Sequence, residues 1–447
     1  MARLRQHETY QNSLILPRTP LRWIGCMTLL ERAVCGKAVS MMRYEQTINM
    51  RIGIDARMMG AENTRGIGRY IEEMIHAMLE FLHEDETLVL FERAPENSPI
   101  QNERVEHVQA DMPWYGWQEQ IQLPKIIQSA HIDILWVPHW NIPIGYRGPL
   151  VVTIHDLLLI NQKHSTKIST RHPIFFYVKY LAFRIVLYFA TKKANRLFPP
   201  TETIREEIMY FSPETKTKLT VTGEGLGHIA PSAKRLFDEP YLLYVGSAYP
   251  HKRLDLALSA WQEISQKHPS LHFLIAGEKD LFMKRYMERV KNQSLSHIHF
   301  LDAISDAELA AYMSHAEGLV FPSEYEGFGL PPLEALLCGT PAVVADIPVM
   351  KEVLPKEGVF FFHKGNVNDM IRMIESVLLH GQNEEEMQRA AHEIRQRHTW
   401  HKAASCVLTA MRGLLKKEDV HDEKKGKTRR DADMEKDERQ SRTGTPA

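Results

Sequence analysis

Long apolar runs are what this 447-residue chain most clearly lacks. Its most hydrophobic stretch, Phe175 to Ala190, is interrupted by Lys179 and Arg184. That excludes a bilayer-spanning helix, which needs about 20 predominantly apolar residues. Cysteine is scarce as well. Cys26, Cys35, Cys338 and Cys406 are scattered without metal-like spacing, which argues against a disulfide framework and fits free thiols in a reducing cytoplasm. Charge of one sign is also missing: 55 Lys and Arg face 56 Asp and Glu, a formal net charge of -1, so no bulk positive field points to nucleic acid. Residues 1–49 show neither the clean apolar region of a signal peptide nor, with Glu8, Glu31 and Glu45 present, an acid-poor transit peptide. What remains, 44% hydrophobic and 25% charged, suits a globular protein of two or more domains with ample core.

The most informative segment present is Val320 to Asp346, VFPSEYEGFGLPPLEALLCGTPAVVAD. The apolar run ending in Val320 and Phe321 reads as a buried strand, Ser323 to Gly329 as a loop, and Pro331-Pro332 as a helix start. Gly327 and Gly329 let backbone N–H groups approach a ligand closely, and the helix N-terminus favours a phosphate. Glu326 and Glu334, eight positions apart, flank that anion site and suit the hydroxyls of a sugar and a ribose.

This run resembles the glutamate, seven residues, glutamate signature of glycosyltransferase family 4, the glycosyl transferases group 1 domain. The family uses two Rossmann-like domains, the GT-B fold, with the donor in the cleft between them. The EGFGLPPLEA version is nearest that of mannosyltransferase-like members. The resemblance implies that Glu326, with backbone groups of Phe328, Gly329 and Leu330, orients the donor sugar, and that Glu334 holds the ribose.

Organised structure is expected from Met50, where MRIGIDARMM reads as a first strand. The natural start is expected there, or the preceding extension is dispensable. RGIGRYIEEMIHAMLEFL follows, with Gly66 and Gly68 preceding an amphipathic helix. A dinucleotide fingerprint would need glycine at position 71, and Ile71 stands there, which weakens a Rossmann cofactor reading. A simple tight turn is the alternative. By resemblance, this glycine loop closes over the donor phosphate. WYGWQEQIQLPKII, IDILWVPHWNIP and PLVVTIHDLLLI then alternate helix and strand, as a parallel sheet covered by helices would. His139, His155 and Asp156 each follow an apolar run, where ligands bind in open sheets. Similar segments recur in family 4, where the histidine of the HD pair lines the sugar pocket. His155 is therefore placed with the catalytic residues, and His139 and Asp156 on the acceptor side. Structural roles for either histidine stay open. In FPPTETIREEIMYF, Thr201 replaces the family's serine, yet its hydroxyl still suits an N-cap. FFYVKYLAFRIVLYFATKKANR is either a core helix with snorkelling basic ends or a helix lying on a membrane surface.

The second half opens with YLLYVGSAYPHKRLDLALSAW: strand, glycine turn at Gly246, Lys252-Arg253, helix. A lysine there can neutralise a diphosphate and an arginine can add a fork of donors. The resemblance gives Lys252 the diphosphate, while Ser247 stands where many relatives carry arginine. The loop near Asp302 to Ile304 is placed against the nucleobase, mostly through backbone. HTWHKAASCVLTAMRGLL is expected to cross back onto the first domain. Beyond Lys416 the chain is nearly devoid of apolar residues and is expected to be disordered; its Asp431-Ala-Asp433 carries little weight as a metal motif.

The resulting expectation is an α/β protein of GT-B fold. Residues 1–49 form an extension, 50–228 an acceptor-side domain, 229–415 a nucleotide-sugar domain with crossover helix, and 416–447 a charged tail. The resemblance implies a retaining, metal-independent transferase without cofactor. Its donor is a nucleotide-sugar, with GDP-mannose preferred, and its acceptor a glycan or lipid-linked glycan in polysaccharide assembly. It is expected in the cytoplasm, with or without peripheral contact at the inner face of a membrane. A GT-B epimerase or phosphorylase, and a non-catalytic subunit of a transferase, are the rival readings.

Overall fold

The computed structural model describes residues 50–60, 65–161, 173–227, 229–302, 304–381 and 383–416. The N-terminal extension, the boundary at His228, Ala303 of the expected nucleobase loop and the Asp431-Ala-Asp433 tail lie outside the described residues.

Two six-stranded parallel sheets, each wrapped by helices, make up the described chain. The first comprises β1 (Met50–Asp55), β2 (Glu86–Glu92), β3 (Val105–Gln109), β4 (Ile134–Val137), β5 (Leu150–Thr153) and β6 (Arg196–Phe198), in the order β3-β2-β1-β4-β5-β6. Its helices are α1 (Arg65–Phe81), α2 (Trp117–Ser129), α3 (Leu158–Asn161), α4 (Pro173–Lys193) and α5 (Glu202–Phe211). The second comprises β7 (Tyr241–Val245), β8 (His272–Ala276), β9 (Ile298–Leu301), β10 (Gly318–Phe321), β11 (Ala342–Ala345) and β12 (Val359–Phe362), in the equivalent order β12-β11-β10-β7-β8-β9. It carries α6 (Leu254–Lys267), α7 (Leu281–Asn292), α8 (Asp306–Ser314), α9 (Leu330–Leu337), α10 (Pro348–Val353), α11 (Val367–His380) and α12 (Glu384–Arg397). A last helix, α13, covers residues 400–416.

The strands are short and apolar because both sheet faces are covered. Ile134, Leu135, Trp136 and Val137 are all buried, as are Ala342, Val343, Val344 and Ala345, the continuous pattern of a doubly covered parallel sheet. Side-chain alternation then splits the first sheet's packing in two. Leu88 and Leu90 join a core with α1, whereas Val89 and Phe91 join one with α2, α4 and α5. Pairing is in register through Ile52, which lies opposite Leu88 on one side and Ile134 on the other.

α13 crosses back to the first sheet, as expected. Trp400, Ala403, Ala404, Val407, Leu408 and Met411 are buried in the same core as Ile71, Met74 and Met78 of α1. Arg412 closes the contact with two bonds to Glu86, at 2.7 and 2.6 Å.

In each sheet the strand order reverses once, between β1 and β4 and between β7 and β10. Chains leaving the carboxyl ends of such neighbours diverge and leave a crevice.

Candidate active site

β10 delivers the Ser323–Gly329 loop, and α9 begins at Gly329, which is left-handed at φ 94°. That backbone conformation favours glycine, and a Cβ there would also displace the terminal methyl of Met350, 2.1 Å away. Pro331 and Pro332 have no N–H to offer, so the donors at this helix start are concentrated in the backbone just before them. The helix N-terminus and the Phe328-Gly329-Leu330 backbone thus coincide.

Lys252 reaches that loop from the second sheet's first crossover. It lies in a short 3₁₀ turn, Pro250–Lys252, and its Nζ donates to both oxygens of Glu326, at 2.6 and 2.8 Å. Both side chains are largely buried. The two residues singled out from separate motifs, 74 positions apart, are therefore one ion pair. Gly246 has φ 147° and sets the turn after β7; its carbonyl packs so closely on Gly277 that a Cβ there would come within 2.2 Å. Arg253 is directed elsewhere. Left-handed at φ 51°, it donates to Asp255 at 3.1 Å and to Glu324, so its guanidinium is already matched by two carboxylates.

Glu334 is buried in α9 and accepts from Arg69 of α1 at 3.3 Å. Burial raises its carboxyl pKa, and Arg69 counters that. Gly66 and Gly68 lie inside the first turn of α1, not ahead of it: two glycines do not prevent a helix whose Ile67, Tyr70, Ile71 and Met74 find apolar partners. Gly66 has open space on its side-chain side. Residues 61–64, just before it, lie outside the described residues.

The first sheet supplies the opposite wall. His155 follows β5, and its ring points inward: Nδ1 lies 3.0 Å from Glu224 and Nε2 lies 3.1 Å from the Pro138 carbonyl. Both partners can accept, so this geometry suits a ring with protons on both nitrogens. Burial opposes that charge, but Glu224 and the carbonyl outweigh it and the pKa is raised. It is the His155 main chain that meets the second sheet, where the Gly327 Cβ position lies 2.2 Å from the His155 carbonyl oxygen. Asp156 is exposed, and desolvation raises its pKa despite a bond from the Leu158 N–H at 3.0 Å. His139 is buried and neutral, its pKa pushed down to about 3 by desolvation.

Further contacts hold the walls together. Thr201 caps α5 as expected, accepting from the Ile204 N–H at 3.2 Å, and also donates to the Gly327 carbonyl at 3.3 Å. Glu352 of α10 accepts from the N–H groups of Glu202 and Thr203, at 2.6 and 3.0 Å, so one half of the molecule caps a helix of the other. Tyr325 donates to Glu207 at 2.7 Å and accepts from the Leu157 N–H at 2.8 Å. Sequence reading missed Arg69, Glu224, Tyr325 and Glu352, because each acts on a partner 69 or more positions away. Gly223, Gly225 and Gly227 surround Glu224, a local composition that suits a flexible linker. In the structure two of these glycines are close approaches, Gly225 under Trp400 and Gly227 against the Arg69 guanidinium.

Among the described residues, no group of three or more His, Cys, Asp or Glu could hold a metal ion. None of the described helices is long and apolar enough to cross a membrane.

Residues 231–394 match the family model for glycosyl transferases group 1. The chain is 25% identical over 250 residues to the O-antigen chain mannosyltransferase RfbU of Salmonella typhimurium, covering 55% of this chain and 65% of that protein. It is also 25% identical over 206 residues to the serotype-specific mannosyltransferase WbdA of Escherichia coli, covering 42% of this chain and 25% of that protein. The alignments thus span about two thirds and a quarter of these relatives. Among solved structures, sucrose-phosphate synthase from Thermosynechococcus elongatus superimposes with a TM-score of 0.66 at 18% identity, over 82% of this chain and 99% of that one.

Proposed function

We propose, for a GT-B chain that carries a glycosyl transferases group 1 domain at residues 231–394, that the cleft between its two sheets binds a nucleotide-sugar and transfers the sugar with retention of configuration. The observation that carries this reading is the Lys252–Glu326 pair at the start of α9. It places a cation for a diphosphate and a carboxylate for sugar hydroxyls within one hydrogen bond of each other. Arrival of the diphosphate gives Lys252 a more highly charged partner and frees Glu326 to accept from the sugar. Lys252, the Phe328–Leu330 backbone and the α9 N-terminus then stabilise charge that grows on the leaving group, without a metal. The acceptor hydroxyl attacks the anomeric carbon from the side the diphosphate leaves; the carbon–phosphate-oxygen bond breaks and the hydroxyl proton passes to the departing phosphate. Glu326 positions and need not bond covalently. His155, protonated and tied to Glu224, supports the wall and adds positive charge near the sugar.

The names of RfbU and WbdA, with the PHK and EGFGLPPLEA segments, support mannose from a GDP donor and an acceptor in polysaccharide assembly. A peripheral membrane contact on the cytoplasmic side is supported by α4. One face, Phe183, Leu187 and Ala190, is buried in the core, yet Val178, Leu181, Ile185 and Tyr188 on the other are each at least 46% exposed, beside the exposed Arg184. Such a stripe with basic company suits an anionic lipid surface.

Thermal-shift screening with GDP, UDP and ADP sugars tests the donor. A ligand at 100 times its Kd stabilises by about 2.7 kcal/mol, and GDP-mannose is expected to give the largest shift. No shift with any of them defeats the reading. A sugar nucleotide consumed identically with and without acceptor would favour an epimerase instead.

A further inference from the structure

The second sheet's reversal, between β7 and β10, holds the Lys252–Glu326 site; the first sheet's, between β1 and β4, holds a small cavity. Asp55 ends β1 and Arg57 follows it, and Pro138, His139 and Asn141 follow β4; all five line it, together with Trp114. It adjoins the cleft, because the lining residue Pro138 is the one whose carbonyl accepts from His155.

Arg57 is 2% exposed. Its Nε and Nη2 bond to Asp55, both at 2.7 Å, and Nη2 also reaches Glu119 at 2.6 Å. Its Nη1 is buried with no protein partner, and the same is true of Trp114 Nε1. Both residues that carry these donors line the cavity, and a buried donor is costly to leave unmatched. The free space, about 10 Å³, is roughly that of one water-sized oxygen, too small for a phosphate. Charge points the same way: Asp55 and Glu119 already outnumber Arg57, so another anion is disfavoured while a neutral hydroxyl is not.

An aromatic shelf borders the cavity. Tyr115 stacks on Trp140 at 5.4 Å, and Trp140 lies against His139 at 4.7 Å. Tyr115 is 59% exposed and held at φ 61°, a left-handed geometry unusual for an aromatic residue. Its N–H is fixed by Glu119 Oε2 at 2.8 Å, so the carboxylate that orders Arg57 also forces this backbone and presents the ring outward.

We propose that this is a subsite for a neutral sugar ring of the acceptor: one hydroxyl enters the cavity to accept from Arg57 Nη1 and Trp114 Nε1, and the ring's apolar face lies on Tyr115. It rests on the reading that the first half of the chain takes the acceptor. Trp114→Phe keeps an aromatic ring and removes one donor; Tyr115→Ala removes the exposed ring and leaves the backbone N–H that bonds to Glu119.

Saturation-transfer NMR on the full chain, with methyl α-mannoside, methyl α-glucoside and methyl α-galactoside as probes and inorganic phosphate as competitor, tests this. At least one glycoside is expected to bind, with Kd raised roughly 3- to 10-fold by Trp114→Phe, the range for one lost neutral hydrogen bond, and at least as much by Tyr115→Ala. Melting temperature should not fall substantially, and the thermal shift with GDP should stay unchanged, in both variants. Equal glycoside binding in wild type and variants, competition by phosphate, or no glycoside binding in a protein that does bind a nucleotide would overturn the subsite. Variant-sensitive glycoside binding in a protein that binds no nucleotide would support the subsite and remove the transferase reading.

Discussion

The main-chain carbonyl of His155 occupies the space a side chain at Gly327 would need: a Cβ there would lie 2.2 Å from the oxygen. Position 327 follows β10 of the second sheet and position 155 follows β5 of the first, so one missing carbon sets how closely the two walls approach. Gly327→Ala should hold them apart. We expect transfer to fall at least about 100-fold, since misplacement by about 1 Å at a reacting centre costs that much. Nucleotide affinity, which the proposal assigns to the second sheet, should change far less. Unchanged turnover in Gly327→Ala would mean that the described closeness is not needed for catalysis.

Lys252 and Glu326 should fail alike and for different reasons. Lys252→Ala removes the cation proposed to face the diphosphate and should weaken nucleotide binding as well as transfer. Glu326→Ala should abolish transfer while GDP still binds, because its partner would be the sugar. Each leaves one charge partly buried without its mate, at a cost of about 1–3 kcal/mol given the pair's partial exposure, and both variants should stay folded by circular dichroism. Wild-type turnover in either would end these roles.

His155 makes stability depend on pH in a stated direction. Its folded pKa is raised above the ordinary 6.5 through Glu224 and the Pro138 carbonyl, against the opposing effect of burial. The unfolded chain therefore loses this proton first. The His155 contribution is complete below about pH 6.5 and fades as pH climbs through the raised folded value. Denaturant titrations across pH 6 to 9 should show a loss that is absent in His155→Gln; an identical slope in that variant would assign the loss to other groups.

How far all this was legible in the chain differs between levels. β7 through α9 were readable because apolar runs, glycine turns and prolines are local signals, and Lys252, Glu326 and Glu334 sit at the ends of such runs. Their pairing was not readable. Nothing local joins Lys252 to Glu326, or tells that Arg253 turns to Asp255 and Glu324. Thr201 as a cap was legible, since the cap acts three residues away; its bond to Gly327, 126 residues away, was not. α4 shows both possibilities at once, because a helix apolar all round has no face that its sequence marks as buried. The periodicity fits the core stripe and the exposed stripe equally.

That exposed stripe is testable apart from the chemistry. Leu181→Asp combined with Ile185→Asp should reduce co-sedimentation with vesicles of anionic phospholipid by at least about 100-fold, taking about 1.5–3 kcal/mol for each of the two apolar side chains kept in water. Thermal stability should move little, since both positions are exposed. Equal vesicle binding by the double variant would leave α4 without a membrane role.

Retention at the Lys252–Glu326 site is the central claim, and one measurement reaches it without the acceptor being known. Real-time proton NMR of GDP-α-mannose with the purified chain follows slow donor hydrolysis and identifies the first anomer released, before mutarotation mixes the two. The α-anomer should appear first, and its appearance should stop in Lys252→Ala. The β-anomer appearing first, or release that continues unchanged in Lys252→Ala, would contradict the account.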